Sequence, residues 1–336
     1  MKLGKLHKVL AGLLAVSLPV AAAAAVGFRP TTHPTTPAAL GEARSSADLE
    51  AVVDQPGPVT VETVTAADWQ VDRGGLVDLD HPRSKAAGLT DGPEPIQIFF
   101  HALRHPTRGL FLVDSGVQRA LRDDPEHAVV SGLVATAAHM DVLKVHTDTA
   151  TWLSGQPQPL AGVFLTHLHL DHILGLPDVP RGTPLFTGPG EASERAALNA
   201  FVQSTTDRAL EGHAPLRELR FERDPAGAFE GVLDLFGDGS VWALHVPGHT
   251  AGSTAYLART PSGPVLMVGD ASHTAFGWEN GVDPGTFTRD RERGAESFAR
   301  LRAFAARHPS IDVRLGHQHM EGHTGAHAVS AADPAR

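Results

Sequence analysis

Seven residues, Thr166-His167-Leu168-His169-Leu170-Asp171-His172, constrain this chain more than any other part of it. They place three imidazoles and a carboxylate directly after an apolar run, Val163-Phe164-Leu165. Imidazole and carboxylate are ligands for zinc and other divalent transition metals. Side chains alternate along an extended backbone, so His167 and His169 share one side. Asp171 and His172 follow where the chain turns toward a short helix. One ion can be held by the first pair and a second by the last. A His-rich surface loop is the plain alternative, since the chain carries 20 His in 336 residues.

Three later segments share one grammar, an apolar strand followed by a ligand-type residue in a tight turn. Val246-Pro247-Gly248 presents His249, Met267-Val268-Gly269 presents Asp270, and Arg314-Leu315-Gly316 presents His317. Glycine before the ligand lets the backbone approach closely. His319 stands two residues beyond His317 as a substitute ligand, but the Gly-His spacing favours His317. The chain has no Cys, so any metal site is built from His, Asp and Glu, and a Cys nucleophile is excluded.

Composition is that of an ordinary globular protein, 42% hydrophobic and 20% charged. Residues 1–26 read as a secretory signal, with Lys2, Lys5 and Lys8 ahead of an uncharged Ala- and Leu-rich run. An uncleaved membrane anchor is the alternative. Either way the expected location is periplasmic or secreted, with membrane contact only through this segment if it stays uncleaved. Losing its three lysines takes the formal net charge from −10 to −13. That argues against a nucleic-acid partner, since phosphate binding needs a basic surface. Residues 27–58, rich in Pro, Thr and Ala, read as a poorly ordered linker. The catalytic domain is expected over 59–330.

Within it, strands are expected at 95–102, 110–113, 162–166, 184–187, 232–236, 241–246, 253–258, 265–268 and 311–315, and helices at 128–140, 147–154, 191–202 and 291–308. The mixture predicts an α/β or α+β class with sheet-on-sheet packing and helices outside. The long irregular stretch 177–230 reads as a lid or substrate wall.

The order HxHxDH, then PGHT, then GDA, then GH resembles the metallo-β-lactamase fold hydrolases over roughly residues 59–325, and Val113-Asp114-Ser115-Gly116 matches their strand-end turn. The resemblance implies a four-layer αββα sandwich with a dinuclear metal site at one edge. Carried over residue by residue, His167, His169 and His249 hold one ion, Asp171, His172 and His317 hold the other, and Asp270 bridges them. Two divalent ions, zinc foremost, are the expected cofactors. Asp114 either orients a ligand from behind or caps a turn.

The bridging Asp270 resembles the lactonase, glyoxalase II and phosphodiesterase branches, whereas the true β-lactamases of the superfamily lack it. Gly269-Asp270-Ala271-Ser272-His273 is similar to the N-acyl homoserine lactonase pattern, in which Tyr stands at the position of His273. The resemblance implies hydrolysis of a small-molecule ester or lactone by a hydroxide bridging the two ions. Asp171 then shuttles the proton, and His273 either steadies the oxyanion or is a solvated turn residue. Phosphodiester or thioester hydrolysis on the same site is the alternative, and an iron-dependent persulfide dioxygenase type of reaction is a more distant one. Tyr256, the chain's one tyrosine, and His245 are expected to be structural. The sequence does not reveal the oligomeric state.

Overall fold

The computed structural model of the protein describes residues 29–196 and 199–320. Residues 1–26, expected to be a secretory signal, and the last ten residues of the expected 59–330 domain lie outside them. Among the described residues, no helix is long and apolar enough to cross a membrane.

Fourteen strands form two sheets among these residues. In chain order they are β1 (Thr35–Pro37), β2 (Glu42–Arg44), β3 (Thr60–Asp72), β4 (Pro93–His105), β5 (Gly109–Val113), β6 (Lys144–Val145) and β7 (Leu160–Phe164). They continue with β8 (Leu185–Thr187), β9 (Leu216–Glu218), β10 (Gly231–Asp234), β11 (Val241–His245), β12 (Thr254–Thr260), β13 (Gly263–Met267) and β14 (Asp312–Arg314). The first sheet runs β1-β9-β8-β7-β5-β4-β3-β6, and the second β14-β13-β12-β11-β10-β2.

Alternation along the strands builds three apolar layers. In β5 and β7, Leu110, Leu112 and Val163 face outward onto residues such as Ile173, Leu176 and Leu210. Phe111, Val113 and Phe164 face inward, where they meet Val241, Ala243, Tyr256 and Met267 of the second sheet. On the far side of that sheet, Trp242, Leu244, Leu257 and Leu266 pack under Leu49 and under Phe298, Leu301 and Phe304 of the helix Arg291–Arg307. The result is the expected αββα sandwich. Strands buried on both faces read as continuous apolar runs, which is why β5, β7, β11 and β13 are visible in the sequence.

Several expectations are corrected. Of the expected linker at 27–58, the described part, residues 29–58, is not free. β1 pairs in parallel with β9, and β2 pairs antiparallel with β10. Ser45 caps the helix Ser46–Glu50, which buries Leu49. The side chains of β1 and β2 are exposed, so backbone pairing at a sheet edge holds them with no apolar signature, and proline is tolerated there. The described fold therefore begins well before residue 59. The 13-residue β3 also escapes sequence reading, because its length, with three Thr among the apolar residues, is mostly half-exposed.

The expected helix 128–140 is only Gly132–Ala137, broken where His139 takes φ 50°. The helix expected at 191–202 is a 3-10 turn Glu191–Ser193 followed by Asn199–Leu210. The stretch 177–230 is more scaffold than lid, since it supplies β8, β9 and the Asn199–Leu210 helix to the first sheet and its cover.

Candidate metal centre

The C-terminal ends of β5, β7, β11, β13 and β14 meet at one edge of the two sheets, and the sequence-named residues follow those ends. His167, His169, Asp171 and His172 leave β7, His249 leaves β11, Asp270 leaves β13 and His317 leaves β14. Their donor atoms form two groups, His167, His169, His249 and Asp270, and Asp171, His172, Asp270 and His317. Within each group all donors lie within 4.8 Å of one another. Asp270 is common to both. Its Oδ2 lies 3.4 Å from His249 Nε2 and 3.3 Å from His317 Nε2, while its Oδ1 lies 3.2 Å from His172 Nε2. His317 Nε2 is also 3.2 Å from Asp171 Oδ2, and His169 Nδ1 is 2.8 Å from His249 Nε2.

The glycines act as their positions in the sequence suggest. A Cβ on Gly248 would fall 2.2 Å from the Gly294 nitrogen, and one on Gly316 would fall 2.2 Å from Asp270 Oδ1. Asp114 adopts φ 60° after β5, a conformation Asp tolerates better than most residues. Its carboxylate accepts from the Thr166 amide at 2.8 Å and from His172 Nδ1 at 2.7 Å. Asp114 therefore orients a site imidazole as well as fixing the turn. His317 Nδ1 similarly donates to the Gln97 carbonyl at 3.0 Å.

The chemistry of the donor set fits divalent cations. His167 Nε2, His172 Nε2, Asp270 Oδ1 and His273 Nε2 are fully buried and make no hydrogen bond. Leaving such an atom unsatisfied costs roughly 1–3 kcal/mol. Four of them converging at one place is the signature of a cation site. Burial and neighbouring imidazoles hold His167 and His249 below the usual histidine range, and burial takes His169 to about 4, so all three present neutral rings. At the other group burial is outweighed. Asp270, Asp114 and Asp171 raise His172, and Asp270 and Asp171 raise His317 to about 10. Against burial, His172 and His317 hold the Asp171 carboxyl below its ordinary range.

Two residues differ from the sequence reading. His273 is not a solvated turn residue; it is buried, with Nε2 3.3 Å from Asp270 Oδ2. Glu191 was not singled out at all. Its carboxylate accepts from the Leu168 amide at 2.8 Å, the Gly252 amide at 2.9 Å and Thr250 Oγ1 at 2.7 Å. It thus ties the His-x-His loop to the loop after His249. Glu194 adds a bond from the Ala251 amide and is paired with Arg289. Burial, then repulsion from Glu194, raises Glu191 to about 7. Nothing local in the sequence marks it, because its partners lie 23 to 61 residues away.

The remaining candidates fall as expected. His319 lies outside both groups, its ring 4.7 Å from that of Phe99. His245 makes a contact with the Ala251 carbonyl at 3.2 Å, and Tyr256 is core, its hydroxyl donating to the Leu165 carbonyl.

A family model described as the Metallo-beta-lactamase superfamily matches residues 94–319, about two thirds of the chain. The chain is 32% identical over 171 residues to the Gamma-lactamase MBL2 of Gibberella moniliformis (strain M3125 / FGSC 7600), covering 48% of this chain and 69% of that protein. It is 26% identical over 245 residues to the N-acyl homoserine lactonase AttM of Rhizobium johnstonii (strain DSM 114642 / LMG 32736 / 3841), covering 71% and 83%. A crystal structure of a quorum-quenching N-acyl homoserine lactone lactonase shares the fold with TM-score 0.55 at 19% identity, over 79% of this chain and 93% of that one.

Proposed function

Because this chain belongs to the metallo-beta-lactamase superfamily and is a metal-dependent hydrolase, we propose that it opens the ring of a small lactone at a site holding two divalent ions, zinc foremost. The observation that carries the two-ion reading is the carboxylate of Asp270, common to two donor groups that are otherwise separate. The similarity to an N-acyl homoserine lactonase over most of both chains supports the lactone.

When bound, such ions polarise a carbonyl and supply a water nucleophile at neutral pH. The chain's own residues set up the rest. His167, His169 and His249 offer neutral imidazoles, and Asp114 fixes the His172 ring through Nδ1. Asp171 keeps its carboxylate ionised beside His317, so it can take a proton from the attacking water and pass it to the departing ring oxygen. Glu191 holds the two histidine loops in register.

A second reading, hydrolysis of a five-membered cyclic amide, is favoured by the similarity to a gamma-lactamase. An amide nitrogen must be protonated to leave and a lactone oxygen needs less help, so the lactone is expected to react faster.

The test pairs two substrates that differ in one atom, N-decanoyl homoserine lactone and its lactam analogue. Zinc-loaded protein should open the lactone, metal-stripped protein neither. Faster opening of the lactam would reverse the choice of ring. No turnover of either, with two zinc ions bound per chain, would refute the cyclic-acyl reading.

We also propose that residues 1–26 direct export to the periplasm or medium, on the strength of their charge and apolar pattern. N-terminal sequencing of protein recovered from the medium or periplasm tests this. An intact Met1 in a cytoplasmic pool refutes it.

A further inference from the structure

His273 is held in one tautomer by the backbone. Its Nδ1 lies 3.0 Å from the Leu76 carbonyl. A carbonyl can only accept, so the proton of the neutral ring sits on Nδ1. In that neutral form Nε2 carries a lone pair and does not donate. That lone pair is buried, has no hydrogen-bond partner, and lies 3.3 Å from Asp270 Oδ2. The same oxygen lies 3.3 Å from His317 Nε2 and 3.4 Å from His249 Nε2, one from each donor group. The His273 ring is parallel to that of His317 at 5.8 Å and 5.1 Å from that of His249. His273 lies outside both donor groups, yet it shares the Asp270 carboxylate with them and, like His167 and His172, has a buried Nε2 with no hydrogen-bond partner. A backbone carbonyl behind a ring is also the usual way a metal-binding imidazole is oriented.

We propose that His273 is a further metal ligand, its Nε2 entering the space between the two donor groups. This rests on the site holding divalent ions. It replaces the oxyanion-donor role the sequence suggested, and it gives the centre a sixth imidazole in addition to His167, His169, His172, His249 and His317.

The test uses the full folded chain loaded with cobalt, whose visible absorption reports ligand number and type. His273→Asn keeps a donor for the Leu76 carbonyl and removes the Nε2 lone pair. Ligation predicts a changed cobalt spectrum and at least a 10-fold weaker hold on the ion in competition with a chelator. A folded H273N protein with an unchanged spectrum and unchanged affinity overturns the proposal. If H273N does not fold, ring-nitrogen spectra of the 15N-histidine-labelled wild type decide. Shifts at six imidazoles on zinc addition support the ligand, and shifts at only five overturn it. Ion stoichiometry of the wild type is read separately. Fewer than two ions per chain refutes the two-ion reading, while the spectrum still tells whether His273 is bound.

Discussion

Replacing Glu191 by glutamine should destabilise the protein more in acid than in base. The carboxyl titrates at about 7 in the fold, against 4.5 as its ordinary value, because burial and Glu194 oppose its charge. The folded state therefore holds this proton more tightly than the unfolded state does. The stability that follows is fully present below 4.5 and is lost as pH rises through 7. At 1.36 kcal/mol per pH unit, the loss between pH 5 and pH 8 is roughly 2–3 kcal/mol. Glutamine does not titrate and shows no such loss. It offers one acceptor oxygen where Glu191 uses two, so a buried amide of Leu168 or Gly252 faces an N–H. That costs roughly 1–3 kcal/mol at any pH. Urea unfolding of metal-stripped wild type and E191Q at pH 5 and pH 8 gives four midpoints, and their double difference cancels the other titrating groups. The gap between the proteins should shrink by roughly 2–3 kcal/mol on going to pH 8. A gap that stays constant or widens would show that Glu191 is already ionised in the fold at pH 5, and the argument from its burial would fail.

Four further outcomes are expected. Asp114→Ala removes the acceptor behind His172 and should weaken the second ion roughly 10–100-fold in chelator competition, with the first ion less affected; equal loss of both ions would contradict the assignment. Gly248→Ala, with φ 141° and the Gly294 backbone in the way, should displace His249 and cost several kcal/mol, about 3 or more. Gly227→Ala, with φ 77° but open space around it, should cost only about 1 kcal/mol in the same thermal melts. Zinc added to metal-stripped protein at pH 7 should release about two protons, because His172 and His317 are raised into their charged forms and must give those protons up to bind; a pH-stat trace with no release would count against both as ligands.

The metal centre was legible in the sequence because each of its donors is announced locally. Four donors stand in the single run His167–His172, and the other three each follow a strand and a glycine, as at Gly248-His249, Gly269-Asp270 and Gly316-His317. The doubly buried strands are equally local, being plain apolar runs. What the sequence hid depends on distance. Glu191 matters only because its loop folds against both histidine loops. β1 and β2 are made by backbone pairing with strands far along the chain, so their exposed side chains carry no trace of it. The tautomer of His273 is set by Leu76, 197 residues away. The helix expected at 128–140 failed for another reason, since His139 at φ 50° interrupts a run whose composition alone favours a helix.

Each donor group takes residues from both sheets, but the two groups are completed at different points along the chain. The first closes with Asp270 and the second waits for His317, carried by the last strand described. A chain emerging from a ribosome has all the donors of the first group well before β14 exists to supply the second. The first group is thus closed within residues 167–270, whereas the second spans residues 171–317 and depends on β14 pairing beside β13.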